Sequence, residues 1–187
     1  MRGTSRLVAA LITIFAALLL QVTVFPHFAW DGVVPDLVLL TVVGAALVTD
    51  PRYATLLGFS AGLLLDIAPP ADHVAGRWAL SLMVVGYVVG RLAHDHQSAS
   101  ARPSYPLMLV TGAAGAFIGS SVFAITGLLL RDPAVGFGEQ LQVVVAAVAY
   151  DVLVALVVVP VTVWAFSREP GPRPAQVTPR APRRAPA

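Results

Sequence analysis

Only a few residues of this sequence have the types and spacing that catalysis requires. Ser60 lies in a Gly-Phe-Ser-Ala-Gly segment at positions 58–62, which matches the G-x-S-x-G pattern of serine hydrolases. That pattern needs a strand followed by a sharp turn, whereas Ser60 lies within an apolar run of helical character. No histidine falls in any predicted helix where it could act as a base. The sequence therefore predicts that the protein is not an enzyme.

A second candidate is the short sequence His94-Asp95-His96, whose side chains can bind metals. A zinc site needs at least three protein ligands, and no third ligand lies at a suitable spacing. Cysteine is absent, which excludes thiolate ligands, disulfides and a cysteine nucleophile. We therefore predict no bound metal and no cofactor, and we expect residues 94–96 to form a solvated turn.

The composition indicates that lipid, rather than water, surrounds most of this chain. Of its 187 residues, 57% are hydrophobic and 12% are charged, whereas a soluble domain carries about 25% charged residues. Six apolar segments predict an all-α, polytopic transmembrane bundle over residues 1–166, since a span needs about 20 apolar residues. The second and third segments are short, so they are either thin spanning helices or a re-entrant pair. The predicted spans are residues 7–25, 35–49, 53–68, 77–92, 107–130 and 141–166.

The arginines predict the orientation, because cytoplasmic loops are enriched in Lys and Arg. With six helices and the N-terminus inside, ten of the 12 basic residues are cytoplasmic, and only Arg77 and Arg131 lie in outer loops. We therefore predict a bacterial inner-membrane protein with both termini in the cytoplasm and no nucleic-acid partner. Residues 167–187 are rich in arginine and proline and are expected to be disordered. Their arginines either contact anionic lipid or remain solvated.

Five charged residues stand in or beside the apolar segments. Asp36 and Asp66 are predicted at the same outer level, where Arg77 begins a helix, and Arg91 lies near the inner end of that helix. The outer residues are either hydrated interfacial charges and helix caps, or a polar cluster that orders the helix ends or meets a partner. A carboxylate at mid-membrane, such as Asp151, costs about 2.5–3.5 kcal/mol. We expect Asp151 to face the interior, in a structural hydrogen bond or on a proton or substrate pathway.

Glycines four residues apart occur on three predicted helices. Small residues at this spacing share one helix face and allow two backbones to approach closely. The pairs predict tight helix packing, although 15 glycines in the chain could also produce them by chance. Tyr87 is expected to pack against its neighbours. The pairs are Gly58 and Gly62, Gly86 and Gly90, and Gly115 and Gly119.

Three segments that follow the first anchor helix resemble the MreD family of bacterial rod-shape-determining membrane proteins. They are Pro-Asp-Leu-Val-Leu-Leu at 35–40, Gly-Phe-Ser-Ala-Gly-Leu-Leu-Leu-Asp at 58–66 and Gly-Tyr-Val-Val-Gly-Arg-Leu at 86–92. The most specific part is Gly-x-x-x-Gly-Leu-x-x-Asp followed, 20 residues after its aspartate, by Gly-Tyr-x-x-Gly-Arg. The order of the segments, the chain length and the six-helix hydropathy agree with this resemblance over residues 7–166.

The resemblance implies a non-catalytic scaffold or regulator of the cell-wall elongation machinery, which contributes to cell shape and to lateral or spore peptidoglycan synthesis. The implied partners are MreC, a RodA-type glycosyltransferase with its class B transpeptidase, and indirectly MreB. The implied fold is similar to the substrate-binding subunits of energy-coupling vitamin transporters, and no catalytic residues are implied. The alternative is such a transporter subunit, with a small-solute pocket lined by polar residues. The polar residues available for it are Ser60, Ser81, Thr111, Ser120, Ser121, Thr126 and Gln142.

Overall fold

The computed structural model describes residues 2–30, 32–69, 73–96, 103–130 and 137–167. Within these ranges the chain forms six α-helices and one short 3-10 helix, Phe25–Phe28, and it contains no strand. The all-α class predicted from the sequence is therefore confirmed for the described residues. The helices are α1 (Arg2–Thr23), α2 (Leu37–Ala46), α3 (Pro51–Ile67), α4 (Arg77–His96), α5 (Tyr105–Leu129) and α6 (Phe137–Ser167). The tail was predicted to begin at residue 167, but Ser167 is the last residue of α6, and residues 168–187 lie outside the described residues.

Helix starts follow local sequence signals. Asp36 caps α2, because its Oδ1 accepts a hydrogen bond of 2.8 Å from the Leu39 amide. Asp50 caps α3 in the same way through the Arg52 amide at 2.9 Å, and Pro51 follows as the first helical residue. Each cap satisfies an amide that the helix itself leaves without a partner.

Helix α2 is the centre of the fold. All ten of its residues are buried, and it contacts each of the other five α-helices. Ten residues rise only about 15 Å, half of a hydrocarbon core of about 30 Å. The sequence predicted a segment of 35–49 here, and the helix is shorter at both ends. Its uniform apolarity reflects burial on every side rather than one lipid-facing stripe.

Helices α3 and α4 form the closest pair. A β-carbon on Gly58 would meet the Leu82 carbonyl, and one on Gly62 would meet the carbonyl of Trp78. On the facing helix α4, a β-carbon on Gly86 would meet the carbonyl of Ala54 in α3. The two antiparallel backbones are therefore in direct contact, and we call this the glycine contact between α3 and α4. Gly90 extends it to Pro51, where an added β-carbon would lie 3.1 Å from the Pro51 Cα.

The outward-facing side chains are predominantly large and apolar, whereas several charged residues are buried. Two helical segments, Tyr105–Leu129 and Leu141–Ser167, are long and apolar enough to cross a membrane, and the apolar segments Leu7–Thr23 and Leu37–Ala46 are shorter. The interior is apolar as well, but this many large apolar side chains on the outside are typical of a surface that contacts lipid or a partner. Exposed apolar residues include Leu11, Phe15, Leu56, Ile67, Phe117, Leu129, Leu153 and Trp164.

The end of α4 corrects one prediction. Residues 94–96 were expected to form a solvated turn, but α4 continues to His96. Arg91 and Asp95, four residues apart on its exposed face, lie 3.9 Å from each other at Nη2 and Oδ2. A pair at this spacing supports helix continuation by a few tenths of a kcal/mol, on the order of 0.2–0.5.

Helix α6 contains a proline, yet it continues without interruption from Phe137 to Ser167. Pro160 has no amide hydrogen, so the carbonyl of Leu156, four residues earlier, loses its helical partner. The hydroxyl of Tyr105 at the start of α5 donates a hydrogen bond of 2.8 Å to that carbonyl. The contact between α5 and α6 thereby satisfies the group that the proline leaves open.

Candidate functional site

Asp151 and Asp36 form a buried polar contact between α6 and the start of α2. The backbone amide of Asp36 donates a hydrogen bond of 2.6 Å to Oδ1 of Asp151. Asp151 is 2% exposed and lies midway along α6, while Asp36 is buried at the N-terminus of α2. The expectation that Asp151 faces the interior is therefore met by a partner 115 residues away in sequence. The bond fixes the start of the central helix to the longest helix.

Gln21 of α1 joins the same cluster. Its Oε1 accepts a hydrogen bond of 3.0 Å from the Val38 amide in the first turn of α2. Three side-chain oxygens thus accept backbone hydrogen bonds: that of Asp36 from Leu39, that of Asp151 from Asp36, and that of Gln21 from Val38. The second carboxyl oxygen of Asp36, Oδ2, is buried and has no hydrogen-bond partner among the described residues. We call Gln21, Asp36 and Asp151 the α2 anchor.

The chemistry of the α2 anchor is that of a polar clamp. An ionised carboxylate only accepts hydrogen bonds, and a helix N-terminus offers unpaired amides and a positive dipole end. Gln21 belongs to α1, Asp151 belongs to α6, and Asp36 immediately precedes α2. Together they position α2 against α1 and α6. The sequence placed Asp36 at the same level as Asp66, but Asp36 pairs with Asp151 rather than with Asp66.

Asp66 performs a similar role for α4. From the end of α3, its carboxylate accepts backbone hydrogen bonds from Gly76, Trp78 and Ala79 at 2.8, 3.1 and 3.1 Å. Gly76 has a φ of +97°, a conformation that glycine adopts without strain. His73 Nδ1 lies 3.8 Å from Asp66 Oδ1. Asp66 therefore caps the N-terminus of a neighbouring helix and is not a hydrated interfacial charge.

Arg77 was predicted to begin a helix at the outer end, and it is the first residue of α4, but it is only 4% exposed. Its Nη2 donates a hydrogen bond of 2.8 Å to the Phe123 carbonyl, and its guanidinium carbon lies 3.8 Å from the centre of the Phe123 ring. Trp78 stacks on the same ring with the centroids 4.3 Å apart. A β-carbon on Gly127 would collide with the guanidinium, so that glycine makes room for it.

The glycines of α5 serve side-chain packing rather than backbone contact. A β-carbon on Gly115 would meet Val43, and one on Gly119 would meet Leu39, both of α2. The carbonyl of Gly119 also accepts a hydrogen bond of 2.6 Å from Ser81 of α4. This pair of glycines therefore admits the branched side chains of the central helix.

Three further residues are placed outside the buried clusters. Arg91 is exposed on α4 near Asp95. Tyr87 was expected to pack, but it is 54% exposed. Ser60 lies inside the continuous helix α3, where its hydroxyl donates to the Leu56 carbonyl at 2.9 Å. Within the described residues no group of three or more His, Asp or Glu side chains could hold a metal.

Sequence reasoning missed Gln21, Phe123 and Tyr105. Gln21 was readable in principle, since an amide side chain near the end of an apolar helix requires a polar partner. Phe123 carries no sequence signal, because it binds Arg77 through its ring face and its backbone carbonyl. The role of Tyr105 becomes clear only from the structure, where its hydroxyl lies beside the Leu156 carbonyl that Pro160 leaves without a helical partner.

Comparison with known protein families, with curated proteins and with solved structures finds no match to this chain.

Proposed function

We propose that this protein is a six-span inner-membrane protein with both termini in the cytoplasm. The proposal is supported by the apolar outward faces of its helices and by the burial of the ionisable side chains Asp36, Asp151 and Arg77 inside the bundle. Lipid accepts such a surface, and charges in lipid are expected to face the bundle interior and to be paired. The arginine distribution supplies the orientation.

Within that membrane, we propose that the protein is a non-catalytic scaffold or regulator of cell-wall elongation, of the MreD type. One observation supports this most directly: the segments that resemble MreD meet around a single helix pair. Gly58 and Gly62 of one segment contact α4, while Gly86 and Gly90 of another contact α3. Asp66, which ends the first segment, caps α4. The residues that carry the resemblance to MreD thus pack or cap helices, as expected for a scaffold.

The mechanism follows from that architecture. The glycine contact between α3 and α4, together with the α2 anchor, makes a bundle with little freedom for its helices to shift, because close-packed interfaces resist continuous deformation. The lipid-facing surfaces of such a bundle present fixed positions to partner helices. MreC, the glycosyltransferase and its transpeptidase are the proposed partners, and MreB is reached through them.

The transporter-subunit alternative needs polar side chains that line a cavity. Several of the hydroxyls available for it are occupied by helix carbonyls. Thr111 bonds to the Leu107 carbonyl at 2.7 Å, and Thr126 bonds to that of Val122 at 2.8 Å. Ser81 binds the Gly119 carbonyl. The two threonine bonds lie within α5, and the Ser81 bond joins α4 to α5. These hydroxyls are engaged with backbone carbonyls, which favours the scaffold over the solute pocket.

Depletion of the protein in its own host tests the function. The expected result is rounded or swollen cells, or defective spore walls if the machinery serves sporulation, with recovery on expression of the wild-type chain. Affinity purification of a tagged chain is expected to retain MreC. Normal wall growth combined with loss of vitamin uptake would instead support the transporter subunit.

The genes beside this one offer an independent check. A neighbouring MreB or MreC gene is expected, and a neighbouring gene for an energy-coupling ATPase would contradict the proposal.

A further inference from the structure

An open cleft of about 540 Å³ lies between the start of α3 and the last turns of α4. The side chains from α3 that line it follow the spacing i, i+3, i+4, and those from α4 follow i, i+4, i+7. Each spacing places its residues on one helix face. The two faces meet beside the glycine contact, at the end predicted to be cytoplasmic. The lining side chains are Arg52, Thr55 and Leu56 from α3, and Tyr87, Arg91 and His94 from α4.

The cleft changes from charged to apolar along its length. Arg52, Arg91 and His94 lie toward the helix ends, while Leu56 and Tyr87 lie about one turn deeper. Leu56 is 67% exposed and Tyr87 is 54% exposed, so both surfaces are open to the surrounding medium. The deeper wall is therefore continuous with the apolar outward face of the bundle.

The arginines outnumber the acidic side chain that lines the cleft: Arg52 and Arg91 carry two positive charges against the one negative charge of Asp50. Oδ1 of Asp50 is directed to the Arg52 amide as a helix cap. Asp95 lies 3.9 Å from Arg91, and both side chains are more than half exposed, so this ion pair is weak. Two guanidinium groups therefore face the same open space, where a bidentate acceptor such as a phosphate can bind them.

We propose that this cleft binds the headgroup of an anionic phospholipid of the cytoplasmic leaflet. The phosphate lies between Arg52 and Arg91, and an acyl chain lies along Leu56 and Tyr87. Basic pockets between membrane helices on this side bind anionic headgroups, and the apolar wall distinguishes a lipid from a free phosphate. The inference rests on the membrane placement proposed above and adds a lipid ligand to it.

Lipid binding to the purified full-length chain tests the site. Detergent-purified protein is titrated with phosphatidylglycerol or phosphatidylcholine, and bound lipid is measured by native mass spectrometry. Wild type is expected to prefer phosphatidylglycerol. Each arginine contributes about fivefold in affinity, so the R52Q/R91Q double variant is expected to bind phosphatidylglycerol about 25-fold more weakly. The R52K/R91K variant keeps the charge and is expected to retain most of the preference.

The R2Q/R6Q double variant is the matched control, because it removes the same two positive charges from α1, which supplies none of the described lining residues. It is expected to leave the preference unchanged, with unfolding temperatures confirming that all variants are folded. Equal binding of the two lipids by wild type, or an equal loss in the control, would overturn the lipid site. Displacement by millimolar inorganic phosphate would also overturn it, in favour of a free anion. None of these results depends on partners or cell shape, so the scaffold proposal is tested separately.

Discussion

At the level of single residues, the role of Asp151 is to supply an oxygen atom that accepts a hydrogen bond, rather than a negative charge. Its Oδ1 receives the Asp36 amide, and an asparagine can offer an oxygen at the same place. We expect Asp151→Asn to retain near-wild-type stability. Asp151→Leu leaves a buried amide without a partner and is expected to lower the free energy of unfolding in detergent by about 1–3 kcal/mol.

The comparison of the two Asp151 variants separates two roles. If Asp151→Asn loses as much stability as Asp151→Leu, the oxygen is not what matters and the charge is. If Asp151→Asn is stable but fails to restore cell shape in depleted cells, a proton at this position takes part in function. Expression levels must match before either result is interpreted.

Tyr105 and Pro160 form a second testable pair. Tyr105→Phe removes the donor to the Leu156 carbonyl and is expected to cost about 0.5–1.5 kcal/mol of stability. Pro160→Ala supplies an amide that can bond to that carbonyl within the helix. In the Pro160→Ala background, Tyr105→Phe should therefore cost much less.

A double-mutant cycle on unfolding free energies measures this coupling between Tyr105 and Pro160. Additive losses from the two substitutions would contradict the idea that the tyrosine compensates for the proline.

At the level of helices, the glycine contact between α3 and α4 is the feature most sensitive to substitution. A side chain on Gly62 collides with the backbone of Trp78 and Ala79, which cannot move aside as a flexible side chain can. Gly62→Leu is expected to cost at least ~1–3 kcal/mol and to reduce the amount of folded protein or its capture of MreC. The measurement is protein yield and co-purification at matched transcription.

Ser60→Ala is the control for Gly62→Leu on the same helix. Ser60 is exposed, and its hydroxyl bonds only to its own helix at Leu56. Its loss is expected to be nearly silent in yield and in cell shape. Should Ser60→Ala abolish activity while Gly62→Leu leaves it intact, the packing interpretation is wrong and Ser60 must be reconsidered as a nucleophile.

The existence of the helices could be predicted from the sequence much better than their partners. Apolar length and glycine spacing are local properties, so they indicate six helices and the small-residue faces of α3 and α4. The contact of Asp36 with Asp151 spans 115 residues, and nothing local specifies it. Arg77 shows the same limit, because its burial depends on the space that Gly127 leaves and on the ring of Phe123.

The length of α2 was also beyond local reasoning. An apolar run of 35–49 fits a thin span as well as a buried helix, since both require the same residue types. Only the packing of five helices around it shows that residues 37–46 are enclosed. The same enclosure explains why Asp36 needs an anchor from other helices rather than from solvent.

At the level of the whole molecule, topology is the first quantity to measure. The arginine distribution predicts that Ala187 is cytoplasmic and that Asp72 is external. Reporter fusions at these two positions are expected to give opposite signals. An external signal at Ala187 would contradict the six-span arrangement, since an odd number of crossings would then be required.

The burial of α2 also has a consequence for biosynthesis. Helix α2 emerges from the ribosome early, but two of its neighbours, α5 and α6, are made last, and Asp151 of α6 holds its first turn. A nascent chain that ends before Phe137 therefore carries a ten-residue apolar helix with an incomplete enclosure and an unpaired Asp36 amide. If the chain is inserted as proposed above, such an intermediate is expected to depend on the insertion machinery until translation is nearly complete, and prematurely terminated chains are expected to be preferred substrates for membrane proteases.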